Sequence, residues 1–135
     1  MNFLKRIFQE WRKQRLRREI EKMDRLDGYQ FEDYVAKILK KNGFENVRQT
    51  SKIHDNGLDV IAERDGKVYG FQCKHYVKRT VGMKAVRQTF VGGNAYQVDS
   101  AILLVNRDFD QKAITLAKQL EVKLWGREKL IELMK

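Results

Sequence analysis

The sequence predicts an α/β fold in which helices cover both faces of a mixed β-sheet. Helix and strand patterns alternate along most of the 135 residues, an order typical of layered α/β domains. An unbroken apolar run at 101–105 suits a strand buried on both faces. An Asp-Gly pair at 65–66 separates two alternating strands and predicts an antiparallel hairpin. Buried parallel strands together with a hairpin give a mixed sheet.

Length and composition exclude several classes of protein. The length suits one domain with a short appendage, and with 42% hydrophobic and 34% charged residues the composition is globular. One cysteine, Cys73, cannot form an intramolecular disulfide, and one thiol with two histidines cannot build a cysteine-rich zinc site. The sequence shows no spanning segment or secretion signal, so a cytoplasmic protein is expected.

The net charge of +10 predicts a polyanionic partner, with nucleic acid first and an anionic membrane surface second. Half of that excess lies in residues 1–22, where eight Lys or Arg face three Glu. We therefore predict a basic amphipathic helix over 1–25, ahead of a domain at 26–135. Its single apolar face is expected to comprise, at helical spacing, Phe3, Leu4, Ile7, Phe8 and Trp11, then more sparsely Leu16, Ile20 and Met23.

Three roles remain open for the apolar face of this helix. It can pack on the body of the protein or on a second copy. It can attach to a membrane surface, or serve as an auxiliary DNA-binding arm.

The elements of the domain follow in order. Asp27 to Gln30 is a variant capping box that begins a helix over 28–42. Strands are predicted around 45–50, 58–64 and 67–76, with a polar turn at 51–57. Thr80 is a candidate cap for a helix ending near residue 96, weakened at its end by Gly92-Gly93. A strand at 101–105, a helix over about 109–120, a strand at 122–125 and a helix at 127–135 complete the chain.

The hairpin register follows from its turn. If Asp65-Gly66 is a two-residue turn, Arg64 faces Lys67 and each pair beyond them is fixed. One face then consists of apolar pairs: Leu58 with Cys73, Val60 with Phe71, and Ala62 with Tyr69. On the other face Asp59 stands opposite Gln72, and Lys74 is its diagonal neighbour.

A carboxylate, an amide oxygen and an amine therefore converge on a face that Ile61 and Gly70 predict to be covered. One interpretation is an ion pair between Asp59 and Lys74, because an unpaired charge on a covered face is costly. The other is a site for Mg²⁺, which prefers hard oxygen ligands and needs only one or two carboxylates beside substrate phosphate. With Lys74 to orient or deprotonate water, such a site is suited to phosphodiester hydrolysis.

These residues resemble the PD-(D/E)XK nuclease superfamily, specifically the Mrr-like restriction endonuclease catalytic domain. The resemblance covers about residues 24–135. It implies a restriction-endonuclease-like three-layer sandwich and a DNA endonuclease that uses Mg²⁺, with Mn²⁺ as a substitute. It rests on these strings: Gly28-Tyr29-Gln30-Phe31-Glu32, Asp55-Asn56-Gly57-Leu58-Asp59-Val60, Gln72-Cys73-Lys74-His75-Tyr76, Val81-Gly82 and Val122-Lys123-Leu124-Trp125.

The resemblance also implies roles for four residues. Asp59 and Gln72 would hold the metal, Lys74 would be catalytic, and Glu32 would add a ligand or an indirect contact. From its position alone, Glu32 is a solvated helix charge. The proline of the superfamily's name is absent, and neutral Gln72 replaces an acidic residue, which is expected to weaken metal binding. Glutamine at this position is familiar from the Mrr-like branch.

Other polar residues near the predicted site have weaker assignments. Candidates for contacts to the DNA backbone are Lys78, Arg79, Lys84 and Arg87, with Gln88 one helical turn after Lys84. His54 and Asp55 fit either a phosphate contact or a polar loop. Cys73 is expected to be a buried structural thiol.

The leading prediction is an Mrr-like, metal-dependent DNA endonuclease that acts as a homodimer, because one active site cuts one strand. A structure-selective nuclease similar to the small, basic Holliday-junction resolvases is the enzymatic alternative. A non-catalytic adaptor that retains the fold and binds DNA or a membrane through its first helix is the alternative from another class, with Gln72 as its best argument. Lipid binding by that helix would place the protein at a membrane periphery.

Overall fold

The computed structural model describes residues 2–50, 57–77 and 80–135. It contains the ten predicted elements in the predicted order. They are α1 Phe3–Asp24, α2 Gly28–Lys41, β1 Glu45–Gln49, β2 Val60–Arg64, β3 Lys67–Lys74, α3 Met83–Tyr96, β4 Ser100–Val105, α4 Gln111–Leu120, β5 Lys123–Trp125 and α5 Arg127–Met134. The predicted turn at 51–57 lies outside the described residues, except for Gly57.

The five strands form one mixed sheet in the order β1-β2-β3-β4-β5. Neighbours among β1, β2 and β3 are antiparallel, whereas β4 joins β3 and β5 joins β4 in parallel. β3 is therefore the central strand, bonded on both sides. Its Gln72 pairs with Leu103 and its Lys74 with Val105 of β4.

Helices cover both faces of this sheet. The larger core joins α1, α2 and α5 to one face through side chains that include Met23, Phe31 and Leu130, packed on Val60 and Phe71. The smaller core joins α3 and α4 to the other face, with these members: Val81, Ala85, Val86, Leu103, Val105, Ala113, Ala117 and Val122. The predicted three-layer sandwich is confirmed. Cys73 is 8% exposed and belongs to the larger core, as expected.

The hairpin register is confirmed from the turn as far as Val60. Arg64 pairs with Lys67, Ala62 with Tyr69 and Val60 with Phe71. Asp65 and Gly66 have φ values of 51° and 76°, as a two-residue turn between twisted strands requires. The predicted pairing of Leu58 with Cys73 on the apolar face is wrong. A Cβ added to Gly70 would lie 2.5 Å from Cδ1 of Leu58, so Leu58 packs over Gly70 on the sheet face that α3 covers.

Helix α3 lies unusually close to the sheet. Gly92 and Gly93 are buried within it, and a Cβ on Gly93 would lie 2.8 Å from the Cβ of Ala101. The two glycines lower helix propensity but permit this approach. The predicted Thr80 cap is wrong, since α3 begins after Gly82, which supplies no side-chain cap.

Helix α1 has two apolar faces where one was predicted. At about 100° per residue, the apolar side chains from Phe3 to Trp11 span an arc of roughly 140°. The arc formed by Leu16, Ile20 and Met23 is centred roughly 160° away. These three pack against the larger core, so the apolar arc of the first half points away from the body. Within the described residues, no helix has the length and hydrophobicity needed to span a bilayer.

Candidate active site

Asp59 is held by backbone and side-chain hydrogen bonds directly before β2. Its carbonyl oxygen accepts from the Thr50 N–H at 2.9 Å, and its own N–H donates to the Phe71 carbonyl at 2.7 Å. Its carboxylate oxygen Oδ2 accepts from the backbone N–H of Cys73 at 2.7 Å. The carboxylate is thereby placed against the backbone of the Gln72-Cys73-Lys74 segment.

The strand is irregular at Asp59. The register pairs Phe71 with Val60, yet the Asp59 N–H also donates to the Phe71 carbonyl. Two successive residues therefore face one residue of β3, which is the arrangement of a β-bulge and redirects the side chains before it. The predicted direct pairing of Asp59 with Gln72 is replaced by the hydrogen bond that the Cys73 N–H donates to the Asp59 carboxylate.

Gln72 projects from β3 toward α3 and is 3% exposed. Its Oε1 lies 2.6 Å from the Thr89 hydroxyl, which also lies 2.8 Å from the carbonyl oxygen of Ala85. Its Nε2 donates to Oε1 of Gln88 at 3.2 Å. Two adjacent residues of α3 therefore hold the Gln72 amide in place.

Lys74 ends β3 on the same face as Gln72. It lines a cleft of about 440 Å³ together with other residues that include Thr80, Lys84 and Gln88. Val81 anchors the α3 side of this cleft, because its N–H donates to Asp108 at 3.0 Å and its carbonyl accepts from Asp110 at 3.2 Å. The cleft lies at the carboxyl end of parallel strands, the usual place for a ligand site in α/β sheets.

Asn106 secures the chain just beyond Lys74. It is fully buried at the end of β4. Its Oδ1 accepts from the Tyr76 N–H and its Nδ2 donates to the Tyr76 carbonyl, both at 2.8 Å. The side-chain amide thus replaces the backbone pairing that ends with Lys74 and Val105.

The beginning of α2 and the end of α1 also meet this part of β3. The ring of His75 packs edge-on against Phe31 with centroids 5.2 Å apart, and its Nε2 lies 2.9 Å from the Met23 carbonyl oxygen. Glu32 follows Phe31 on α2 and is half-buried. Its helix shares the larger core with β3, through Phe31 and Phe71.

The predicted DNA-binding residues differ in their outcomes. Lys84 is exposed and lines the cleft with Lys74. Arg87 is exposed on α3, whereas Gln88 is half-buried and bonded to Gln72. Lys78 and Arg79 lie outside the described residues, as do His54 and Asp55.

Sequence reasoning missed Thr89 and Asn106. Thr89 falls four residues after Ala85 on the buried stripe of α3, and a polar residue on such a stripe calls for a partner. Asn106 directly follows the apolar run of β4. Both signals are visible in the sequence as polar side chains at positions whose neighbours are buried.

Asp59 and Gln72 supply a carboxylate and an amide oxygen, both hard ligands. An amide oxygen has two acceptor positions, and Thr89 occupies one of those on Gln72. Among residues 2–50, 57–77 and 80–135, no group of three or more His, Cys, Asp or Glu side chains is placed to hold a metal ion. The donor set fits an ion such as Mg²⁺, which retains waters and takes ligands from substrate phosphate.

Comparison with known proteins identifies the family. The model of the restriction endonuclease family Mrr_cat matches residues 23–134. This chain belongs to the Mrr_cat family. The expected membership is thus confirmed, and residues 23–134 form a domain of the restriction-endonuclease type. Nucleases of the PD-(D/E)XK superfamily generally use divalent metal ions.

Two similar proteins have no described function. An uncharacterized protein from Archaeoglobus fulgidus is 29% identical over 99 residues, which cover 68% of this chain and 57% of the relative. The crystal structure of AF1548, a protein of unknown function, has a TM-score of 0.65 and 26% identity, and covers 74% of this chain and 58% of that one. This Mrr_cat chain therefore spans less than two thirds of either protein.

A third similar structure shows the fold alone. The DNA modification-dependent restriction endonuclease AspBHI has a TM-score of 0.64 at 15% identity. The match covers 90% of this chain and 34% of AspBHI. The Mrr_cat sandwich, including its mixed sheet, is thus shared with part of a larger enzyme.

Proposed function

We propose that this Mrr_cat chain is a divalent-metal-dependent DNA endonuclease that hydrolyses phosphodiester bonds. The observation that carries the proposal is the 2.7 Å hydrogen bond from the Cys73 N–H to the Asp59 carboxylate. This bond places the carboxylate beside the 72–74 segment of β3. The residues on either side of Cys73, Gln72 and Lys74, have side chains that face α3. Family membership independently supports a nuclease.

In this proposal Asp59 and Gln72 hold Mg²⁺, with Mn²⁺ as a substitute. When bound, the ion would neutralise charge on the phosphate and lower the pKa of water. Thr89 and Gln88 fix the Gln72 amide so that no rearrangement is needed when the ligand arrives. Glu32 supports the site from α2, as an indirect contact or an additional ligand.

Lys74 orients the attacking water and stabilises the transition state. Lys74 and Lys84 both line the cleft at the end of β3, where positive charge favours a phosphate backbone. Arg87, Lys78 and Arg79 are proposed as further backbone contacts. Gln88 is assigned a positioning role, because its side chain is bonded to Gln72.

Cleavage of supercoiled plasmid tests the proposal. Methylated plasmid, unmethylated plasmid and a labelled four-way junction are incubated with Mg²⁺ or Mn²⁺ and with protein of matched melting temperature. We expect wild-type cleavage that Lys74→Ala abolishes. Lys67→Ala, an exposed residue at the other end of β3, is purified identically and should cleave like the wild type.

The outcomes separate the candidate functions. Preference for plasmid, or for its methylated form, supports a restriction function, whereas preference for the junction supports a resolvase. Cleavage that survives in Lys74→Ala contradicts the assigned site. Folded wild-type protein that binds DNA and cleaves none of the substrates supports the non-catalytic adaptor.

A homodimer is proposed for cutting duplex DNA, since one site hydrolyses one strand at a time. A dimer on DNA would linearise plasmid without accumulating nicked circles. Light scattering of the protein with an uncleavable duplex, in Ca²⁺, measures the stoichiometry. One chain per duplex, with nicking alone, would contradict the dimer.

A further inference from the structure

The first half of α1 carries an apolar surface that the described body of the protein does not cover. We define residues 3–15 as the outer segment. Four of its side chains are largely exposed: Phe3 at 74%, Leu4 at 72%, Phe8 at 59% and Trp11 at 64%. We propose that the outer segment binds the surface of an anionic phospholipid membrane.

The direction of the apolar arc is the first argument. Leu16, Ile20 and Met23 bind the second half of α1 to the larger core. The arc from Phe3 to Trp11 is centred roughly 160° from them around the helix. Continuous helix geometry therefore turns the outer segment's apolar side chains away from the core that holds its other end. The outer segment is about 20 Å long at 1.5 Å per residue.

The charge of the outer segment is the second argument. It contains five basic residues and one acidic residue, Glu10. Four of the five lie on the side opposite the apolar arc or at its border: Lys5, Arg6, Arg12 and Lys13. A helix with Trp and Phe on one side and Lys or Arg on the other lies in the interface of a membrane, and anionic headgroups attract its cations.

A second copy of the chain fits this surface less well. In a pair of helices, the residues that border the apolar seam must be compatible with each other. Here Arg15 lies within the apolar arc, beside Phe8. The borders carry Arg12 on one side and Arg6 beside Glu10 on the other. Self-pairing would bring basic residues together, with one Glu per helix to compensate.

DNA also fits only part of the surface. A phosphate backbone would bind the basic side and leave Phe3, Phe8 and Trp11 in water. An anionic bilayer accommodates both the apolar arc and the basic border. In a cell, this contact would hold a cytoplasmic protein at the membrane periphery.

Vesicle flotation of the full chain tests the proposal. Vesicles of phosphatidylcholine alone are compared with vesicles that also contain phosphatidylglycerol. The test variant combines Phe8→Ser with Trp11→Ser, and its matched control combines Phe90→Ser with Val91→Ser, two exposed apolar residues of α3. Melting temperatures establish that each variant is folded.

We expect wild-type protein to float with anionic vesicles, less so at high salt and at least about tenfold more weakly with phosphatidylcholine alone. The test variant should lose about tenfold or more in partitioning, since two large apolar side chains no longer enter the interface. The matched control should bind like the wild type. Trp11 fluorescence should shift to shorter wavelength with anionic vesicles, a shift that Trp11→Phe removes.

Three results would overturn the proposal. The first is equal vesicle binding by the wild type and the test variant. The second is a lipid-free dimer that the test variant dissociates, which would assign the apolar arc to a second copy. The third is weaker duplex binding by the test variant together with no vesicle binding by the wild type, which would assign the outer segment to DNA.

Discussion

Thr89 and Gln72 are joined by a buried hydrogen bond between the helix that covers the candidate site and the strand that carries it. The Thr89 hydroxyl is fully buried and lies 2.6 Å from Gln72 Oε1. The same hydroxyl lies 2.8 Å from the carbonyl oxygen of Ala85, so its one proton is shared between two acceptors. One side chain therefore ties the proposed neutral metal ligand to the backbone of α3.

Thr89→Val keeps the shape of the side chain and removes the hydroxyl. We expect a loss of about 1–3 kcal/mol in unfolding free energy, because the Gln72 oxygen loses a buried donor. The Mg²⁺ concentration for half-maximal cleavage should rise several-fold. Urea denaturation and a Mg²⁺ titration measure the two effects.

Thr115→Val is the matched control for Thr89→Val. The Thr115 hydroxyl also bonds to a carbonyl four residues earlier, that of Gln111 at 3.0 Å, but on an exposed surface. It should cost less than about 0.5 kcal/mol, and Thr89→Ser should restore metal affinity. Equal losses for Thr89→Val and Thr115→Val would contradict a special role for the bond to Gln72.

Gln72→Glu restores the second carboxylate of the superfamily pattern. Without metal we expect a lower melting temperature, because a carboxylate at a position that is 3% exposed is poorly solvated. Mg²⁺ should raise the melting temperature of this variant more than that of the wild type, and half-maximal cleavage should need less metal. Gln119→Glu, an exposed change of the same charge, is the control. If Mg²⁺ raised the melting temperatures of Gln72→Glu and Gln119→Glu by the same amount, Gln72 would be excluded as a ligand.

Gly57→Ala tests how tightly the segment before Asp59 packs on α3. A Cβ at Gly57 would lie 2.2 Å from the Gln88 carbonyl oxygen, and Gly57 has φ +79°. We expect a loss of at least about 3 kcal/mol in stability, since strain and a backbone collision combine. Gly66→Ala has nearly the same φ, +76°, with nothing within 4 Å, and should lose only about 1 kcal/mol. If urea denaturation showed similar losses of stability for Gly57→Ala and Gly66→Ala, the close packing of Gly57 on α3 would be refuted.

Asp24 and Arg127 predict a pH dependence of stability. Arg127 binds both Asp24 oxygens at 2.8 Å, and this hydrogen bonding lowers the Asp24 pKa against the opposing effect of burial. A lowered pKa stabilises the fold above the unfolded value, about 3.9, and this contribution disappears as the pH falls through the folded pKa. Asp24→Asn should cost about 1–2 kcal/mol at neutral pH.

Melting temperatures across a pH series check this prediction. The difference in melting temperature between the wild type and Asp24→Asn should become smaller in acid. Glu10→Gln removes an exposed pair with Lys13 at 3.6 Å and should show almost no gap at any pH. A gap for Asp24→Asn that is constant down to strong acid would show that the pair does not titrate as described.

The order of elements and the hairpin register were predictable because their signals are local. Asp65-Gly66 specifies a turn, and the turn specifies each pair as far as Val60. The bulge at Asp59 was not predictable in this way, because it depends on hydrogen bonds with Phe71 and Cys73, which are distant in sequence. The side of the sheet occupied by Leu58 was missed for the same reason.

The candidate site was predictable as a set of residues and less so as a geometry. Family resemblance selects Asp59, Gln72 and Lys74, and the fold brings them to one end of β3. The contacts of Gln88 and Thr89 depend on the close approach of α3 to the sheet, which Gly93 permits. No local pattern in α3 specifies that approach. The catalytic and metal roles stay predictions.

The end of α1 cannot be separated from the Mrr_cat domain. Met23 is 1% exposed, and its carbonyl oxygen meets His75, the residue after Lys74. A truncated protein that starts at residue 26 would lose a core side chain, the His75 contact and the Asp24 pair with Arg127. Loss of function in that truncation would therefore report misfolding. A deletion that stops before Leu16 would remove the outer segment and leave the domain's own packing intact.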